Sequence, residues 1–218
     1  MEIPNDVIVP PLVDAQGLSQ LIVTDPNKLK EECKPFDFYN PPIDPLQLAQ
    51  ALVMEMRDFG GIGLAANQLG FKWRVFAMRA EPNIVCFNPR IVMPSDEQIY
   101  LEEGCLSFPG LIIKIRRPKH VRVRFQDANG EMHTETYTGM AARVFQHELD
   151  HLDGVLFYDR AGRYHRDKAF KSWQPLKSPQ MNVSTLDVSL KKDASYAPSL
   201  VISPSPELKV TPSLILPT

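Results

Sequence analysis

The run His147-Glu148-Leu149-Asp150-His151 is the strongest chemical signal in the sequence. Histidines four apart on a helix project from one face and can hold a single metal ion between them. Glu148, one residue beyond the first histidine, can reach a water on that ion. The surrounding residues are strongly apolar, so two imidazoles and a carboxylate would be costly to bury there without a partner such as a metal. Two protein ligands are an incomplete set, because a catalytic site of the zinc type uses three and keeps a fourth position for water. His120, His133, His165, several carboxylates and the three cysteines are all available as the third, and chemistry alone does not choose among them. Cys105 stands out by its setting, Glu102-Glu103-Gly104-Cys105-Leu106-Ser107-Phe108-Pro109-Gly110, where Gly104 permits close backbone approach to a ligand. Cys33 and Cys86 read as small buried hydrophobes.

A third segment is Gly60-Gly61-Ile62-Gly63-Leu64-Ala65-Ala66-Asn67-Gln68, where glycines and alanines give way to amide side chains. The spacing is not that of a phosphate-binding loop, and no Lys-Ser or Lys-Thr follows. One reading is a helix end followed by a close-packed turn. The other is a strand-like stretch that pairs with a peptide, with Gln68 aimed into the site as a neutral donor.

Elements must hold these groups in place. Apolar residues at Leu46, Leu48, Leu52, Val53 and Met56 recur at helical spacing behind a capping Asp44 and before Gly60-Gly61, which predicts a helix from Pro45 to Phe59. A second helix is expected from an N-cap at Thr138 to a stop near Gly154. Met140, Val144, His147 and His151 share one side of it, and Ala141, Phe145, Leu149 and Leu152 cover much of the rest, so it should be buried almost all round. Trp73 to Met78, Ile84 to Val92 and Leu111 to Arg117 are short and rich in β-branched and aromatic residues, as strands are. Val121, Val123 and Phe125 alternate with Arg122, Arg124 and Gln126, and Asp127-Ala128-Asn129-Gly130 turns the chain into Met132 to Tyr137, a hairpin with one wet face.

With 218 residues and 44% hydrophobic content, the chain suits one compact domain with extensions. Residues 1–20, interrupted by prolines, read as an arm. Residues 21–173 read as the catalytic domain, and the proline- and serine-rich 174–218 as a linker-like or disordered extension. A formal net charge of −2 asks for neither nucleic acid nor an anionic membrane as partner. No apolar run approaches the roughly 20 residues that cross a bilayer, and Glu2, Asp6 and Asp14 stand where a targeting signal would be basic. Three widely spaced cysteines argue for a reducing compartment, so a cytoplasmic location is expected.

The segments Gly61 to Gln68, Glu103-Gly104-Cys105-Leu106-Ser107 and Gln146 to Gly154, in this order, resemble the three signature motifs of peptide deformylases. The resemblance spans about Leu21 to Asp159. It implies that Cys105, His147 and His151 are metal ligands with a water in the fourth place, and that the ion is Fe²⁺, for which Zn²⁺, Ni²⁺ or Co²⁺ can substitute. It makes Glu148 the general base, and the Leu106 N–H and Gln68 amide the oxyanion donors. Ile62, Gly63 and Gly104 would pair with the peptide main chain. Ile62, Leu101, Met140, Val144 and the stem of Arg143 would surround the methionine side chain. Glu103 and Arg117, at matching positions, would pair to hold the cysteine loop.

The substrate implied is a formylated nascent peptide met at the ribosome, acted on by a monomer. The fold implied is α+β, with antiparallel sheets packed around a central metal-binding helix and the Asp44–Phe59 helix outside. Three rivals compete. A metalloprotease would take a His or Glu as third ligand and leave the Cys105 and Gln68 segments unexplained. A structural metal site would need a fourth protein ligand. An inactive formyl-peptide binder would not need Glu148. After Pro109 the chain carries Leu111, Ile112 and Ile113 where many bacterial relatives are polar, which bears on the peptide beyond methionine.

Overall fold

The computed structural model describes residues 22–174. The arm at 1–20 and all of the 174–218 extension but its first residue lie outside this range. Two antiparallel sheets and four helices make up the described fold. Helix α1 is Pro26–Leu29, α2 Pro45–Asp58, α3 Gly139–Leu152 and α4 Arg163–Ser172. Strands β1 (Gly63–Ala65), β2 (Val75–Met78), β3 (Ile84–Pro94), β6 (His120–Gln126) and β7 (Met132–Thr138) form a five-stranded sheet in the order β1-β2-β3-β6-β7. Strands β4 (Gln98–Cys105) and β5 (Phe108–Pro118) form a separate two-stranded sheet. This is the expected α+β class.

Helix α3 is the centre. Its residues from Ala142 to Leu152 are all buried, as its sequence demanded. Ala142, Phe145, Leu149 and Leu152 pack on Phe76, Met78, Val121, Val123 and Phe125 of the large sheet. The opposite face of β2, Val75 and Ala77, meets Leu48, Leu52 and Met56 of α2, so β2 is covered on both sides. Helix α2 lies outside as expected, and Asp44 caps it by accepting the Gln47 N–H at 2.9 Å. Thr138 is the N-cap residue of α3, as expected, in an extended conformation, although its side chain makes no capping bond. Gly154 ends the helix region with φ +68°, a left-handed conformation that glycine adopts without strain.

Strand β4 was not visible in the sequence, and β1 falls in the Gly60–Gln68 segment, for which a strand-like stretch was one of two readings. Strand β4 contains Glu102-Glu103-Gly104, which has little intrinsic strand preference, and it is ordered by its ladder with β5. That ladder slips between Glu103 and Cys105, a bulge of the kind that re-aims a side chain. Strand β1 has three residues and is an edge, hydrogen-bonded only to β2. The Arg122 and Arg124 face of the β6–β7 hairpin is exposed, as the alternation predicted.

Candidate metal centre and its cavity

Cys105, His147 and His151 converge. One ligand atom from each lies within 4.8 Å of the others. The bulged end of β4 delivers Cys105, whose Sγ is 3.2 Å from His151 Nε2. The two histidines stand one turn apart on α3, with ring centroids 5.1 Å apart. His147 Nδ1 lies 3.0 Å from Glu103 Oε2, and a carboxylate only accepts, so Nδ1 carries the proton and Nε2 keeps its lone pair for an ion.

Glu103 is the hub of a buried charge network. Arg117 Nε and Nη2 donate to its two oxygens at 2.6 and 2.9 Å, and Arg143 Nη1 donates to Oε1 at 2.7 Å. Arg117 Nη1 also reaches Asp150 Oδ2 at 2.6 Å, and Arg160 Nη2 holds Asp150 Oδ1 at 2.7 Å. Burial would raise the Glu103 carboxyl, but its bonds to His147 and Arg117 outweigh this and hold it well below the usual range. The pairing of Glu103 with Arg117 expected from the sequence is therefore present. Arg143, Asp150 and Arg160 complete a network that the sequence did not reveal. Asp150 lies between the two histidines in the motif, and that position was the only available signal.

Glu148 is 4% exposed, and its Oε2 has no hydrogen-bond partner among the described residues. Burial pushes its carboxyl up to about 7, against the opposing pull of His147 and His151. Burial would also raise the Cys105 thiol, but the neighbouring imidazoles, His151 foremost, bring it well below its ordinary value. Gly63 is required by proximity: a Cβ there would run into Glu148 Oε1 and come within 2.8 Å of Val144 Cγ1.

These groups face a cavity of about 420 Å³. Ile62, Gly63, Gln68, Gly104, Cys105, Leu106, Met140, Arg143, Val144, His147 and Glu148 all line it. Leu101, half-buried on β4, is not among the residues that line it. Gly60, Gly61, Glu102, Glu103, Pro109, Gly110, Leu111 and Ile112 line it too, so Leu111 and Ile112 of the apolar segment after Pro109 border the cavity. Gln68 is pinned at its oxygen by the Ala65 N–H at 2.9 Å, while its Nε2 donates to Ser107 Oγ at 3.0 Å and points toward Cys105 Sγ at 3.7 Å. The Arg143 guanidinium is turned away to Glu103 and to the Ile115 and Ile99 carbonyls, which leaves its stem at the cavity wall.

The donor set fits a divalent transition ion: one thiol of lowered pKa, two imidazoles, and a buried carboxyl oxygen left without a protein partner. A second cluster, Asp127, Glu131 and His133, lies on the β6–β7 turn. There Asp127 Oδ1 accepts the Asn129 and Glu131 N–H groups, so it serves the turn. Among the described residues no helix is long and apolar enough to cross a membrane.

Two imidazoles from a His-Glu-x-x-His helix, a thiol and a buried carboxyl around an open cavity define a metal-dependent hydrolase, here on an α+β frame. The polypeptide deformylase profile matches residues 19–167. The chain is 45% identical over 123 residues to the peptide deformylase of Treponema pallidum, covering 56% of this chain and 76% of that one. It is 37% identical over 168 residues to that of a Bradyrhizobium strain, covering 72% and 94%. The crystal structure of the Thermus thermophilus peptide deformylase superposes with a TM-score of 0.65 at 31% identity, over 71% of this chain and 92% of that one. The chain belongs to the polypeptide deformylase family, whose members hydrolyse the N-formyl group from N-terminal formyl-methionine.

Proposed function

We propose that residues 21–173 form a catalytic unit that deformylates nascent peptides with Cys105, His147 and His151 holding Fe²⁺, a site that Zn²⁺, Ni²⁺ or Co²⁺ can also fill. The observation that carries this reading is the convergence of the three ligand atoms within 4.8 Å of one another beside Glu148. A divalent ion held there supplies a water activated at neutral pH and a Lewis acid for the formyl oxygen.

Glu148 takes the proton of the attacking water and passes it to the departing amine. A carboxyl that burial brings to about 7 is suited to both halves of that task. The Leu106 N–H and the Gln68 amide face the negative charge that develops on the formyl oxygen. Gln68 is suited because Ser107 takes one of its amide hydrogens, and the other is directed to Cys105 only by a long contact. Gly63, at the end of edge strand β1, and Gly104, on β4, present backbone from two sides of the cavity for β-like pairing with the peptide. Ile62, Met140, Val144 and the Arg143 stem form the methionine pocket. The protein acts as a monomer in a reducing cytoplasm, on chains emerging from the ribosome.

The test is formate release from formyl-Met-Ala-Ser by anaerobically purified, iron-loaded protein. Turnover is expected with the formylated peptide and not with its unformylated counterpart. Glu148→Ala should lower kcat by about 10²–10⁴-fold at unchanged metal content, the range of a general base. Cleavage of the unformylated peptide, or an active Glu148→Ala protein, would overturn the reading.

A further inference from the structure

Asn67 lies in the 3₁₀ turn Ala66–Leu69 and is 6% exposed. Its Nδ2 donates to the backbone oxygen of His151 at 2.7 Å. That bond fixes the orientation of the amide, because only its NH₂ end can face a carbonyl. The other end, Oδ1, is buried and accepts no hydrogen bond from the described residues.

His151, 2% exposed, carries the complementary deficit. Its Nε2 is the atom turned to Cys105, and its Nδ1 is buried without a partner. An imidazole that gives its Nε2 lone pair to an ion carries its proton on Nδ1, and that proton needs an acceptor. His147 meets the same need through Glu103, at 3.0 Å. For His151 the corresponding acceptor is missing from the direct contacts, and one buried, unmatched acceptor sits on the residue already bonded to its main chain. Together with Glu148 Oε2, these two atoms are the only buried side-chain polar atoms without a partner among the described residues.

We propose that Asn67 is the positioning residue for His151: its Oδ1 receives the His151 Nδ1 proton through one bridging water, which fixes the tautomer and the ring plane. The proposal rests on His151 being a metal ligand. A buried water held between a donor and an acceptor is the ordinary way such a pair is satisfied. The two ligand histidines are then supported unequally, His147 by a carboxylate in a charge network and His151 by a neutral amide.

The experiment uses the full chain with zinc, measuring Zn²⁺ affinity by competition with a chromogenic chelator, and the His151 ring by ¹H–¹⁵N NMR of the zinc-loaded protein. Asn67→Leu removes both amide functions, while Asn67→Asp keeps an acceptor and loses the donor to the His151 carbonyl. Asn67→Leu should weaken zinc binding about 10–100-fold, with Asn67→Asp within about threefold of wild type or tighter. In the wild-type protein His151 should carry a proton on Nδ1 that exchanges slowly with solvent. Unchanged affinity in Asn67→Leu, or an Asn67→Asp loss as large as that of Asn67→Leu, overturns the proposal. So does an unprotonated or fast-exchanging Nδ1 in the wild-type protein, which decides the matter even if a variant does not fold. His151→Ala separates the two levels. If it binds zinc like wild type, the ligand assignment itself fails, whereas lost binding beside a wild-type Asn67→Leu affinity refutes only the role of Asn67.

Discussion

Replacing Arg117 with alanine removes the cation that joins two buried carboxylates. Arg117 is 5% exposed, and its guanidinium makes three charge-assisted bonds, two to Glu103 and one to Asp150. Breaking a buried pair by deleting one partner costs about 3–5 kcal/mol, because the remaining charge stays desolvated. Here neither carboxylate is left alone: Glu103 keeps Arg143 and His147, and Asp150 keeps Arg160. The loss therefore belongs at the low end, about 3 kcal/mol. With a urea dependence of about 2 kcal/mol per molar, the unfolding midpoint of the zinc-loaded protein should fall by about 1.5 M. Zinc affinity should fall with it by about tenfold or more, since Glu103 sets the His147 ring. The assay is urea denaturation followed by tryptophan fluorescence, beside chelator competition. Lys119→Ala, which breaks an exposed pair with Glu97, should leave the midpoint unmoved. An Arg117→Ala protein with the wild-type midpoint, zinc affinity and turnover would refute the reasoning that the network holds the cysteine loop and the ligand helix.

Two further outcomes follow from the packing of the site. Gly63→Ala should displace Glu148 and lower kcat at least about tenfold, with a modest fall in the unfolding midpoint, because the added methyl meets the buried Glu148 carboxylate and comes within 2.8 Å of Val144 Cγ1. A Gly63→Ala enzyme with full kcat would show that Glu148 has room the structure denies it. Of the three cysteines, only Cys105 should react with a thiol reagent, and only after chelation, because Cys33 and Cys86 are buried and burial raises both thiols, Cys33 to about 11. Labelling of Cys33 or Cys86 in the folded protein would contradict that assignment.

Local rules in the sequence determined more of this protein than its length suggests. The 3.6-residue period of α3 placed His147 and His151 on one face, and the period-2 alternation of Val121, Val123 and Phe125 defined the β6–β7 hairpin, because each rests only on near neighbours in the chain. The resemblance of the three motifs was enough to name Cys105 and Gln68 as partners of that helix and of Glu148 on it. The resemblance also named the Glu103–Arg117 pair, but most of what is set by contact across the fold could not be read from the sequence. The second half of strand β4, Glu102-Glu103-Gly104, has little strand propensity of its own and is held by its ladder with β5. The bulge in that ladder aims Cys105, and no residue pattern announces it. Glu103, Arg117, Arg143, Asp150 and Arg160 are scattered over nearly 60 positions of sequence, and only packing around α3 brings them together as a desolvated network. The paired deficits of Asn67 and His151 likewise arise only from burial, which turns two ordinary polar side chains into groups that must find each other.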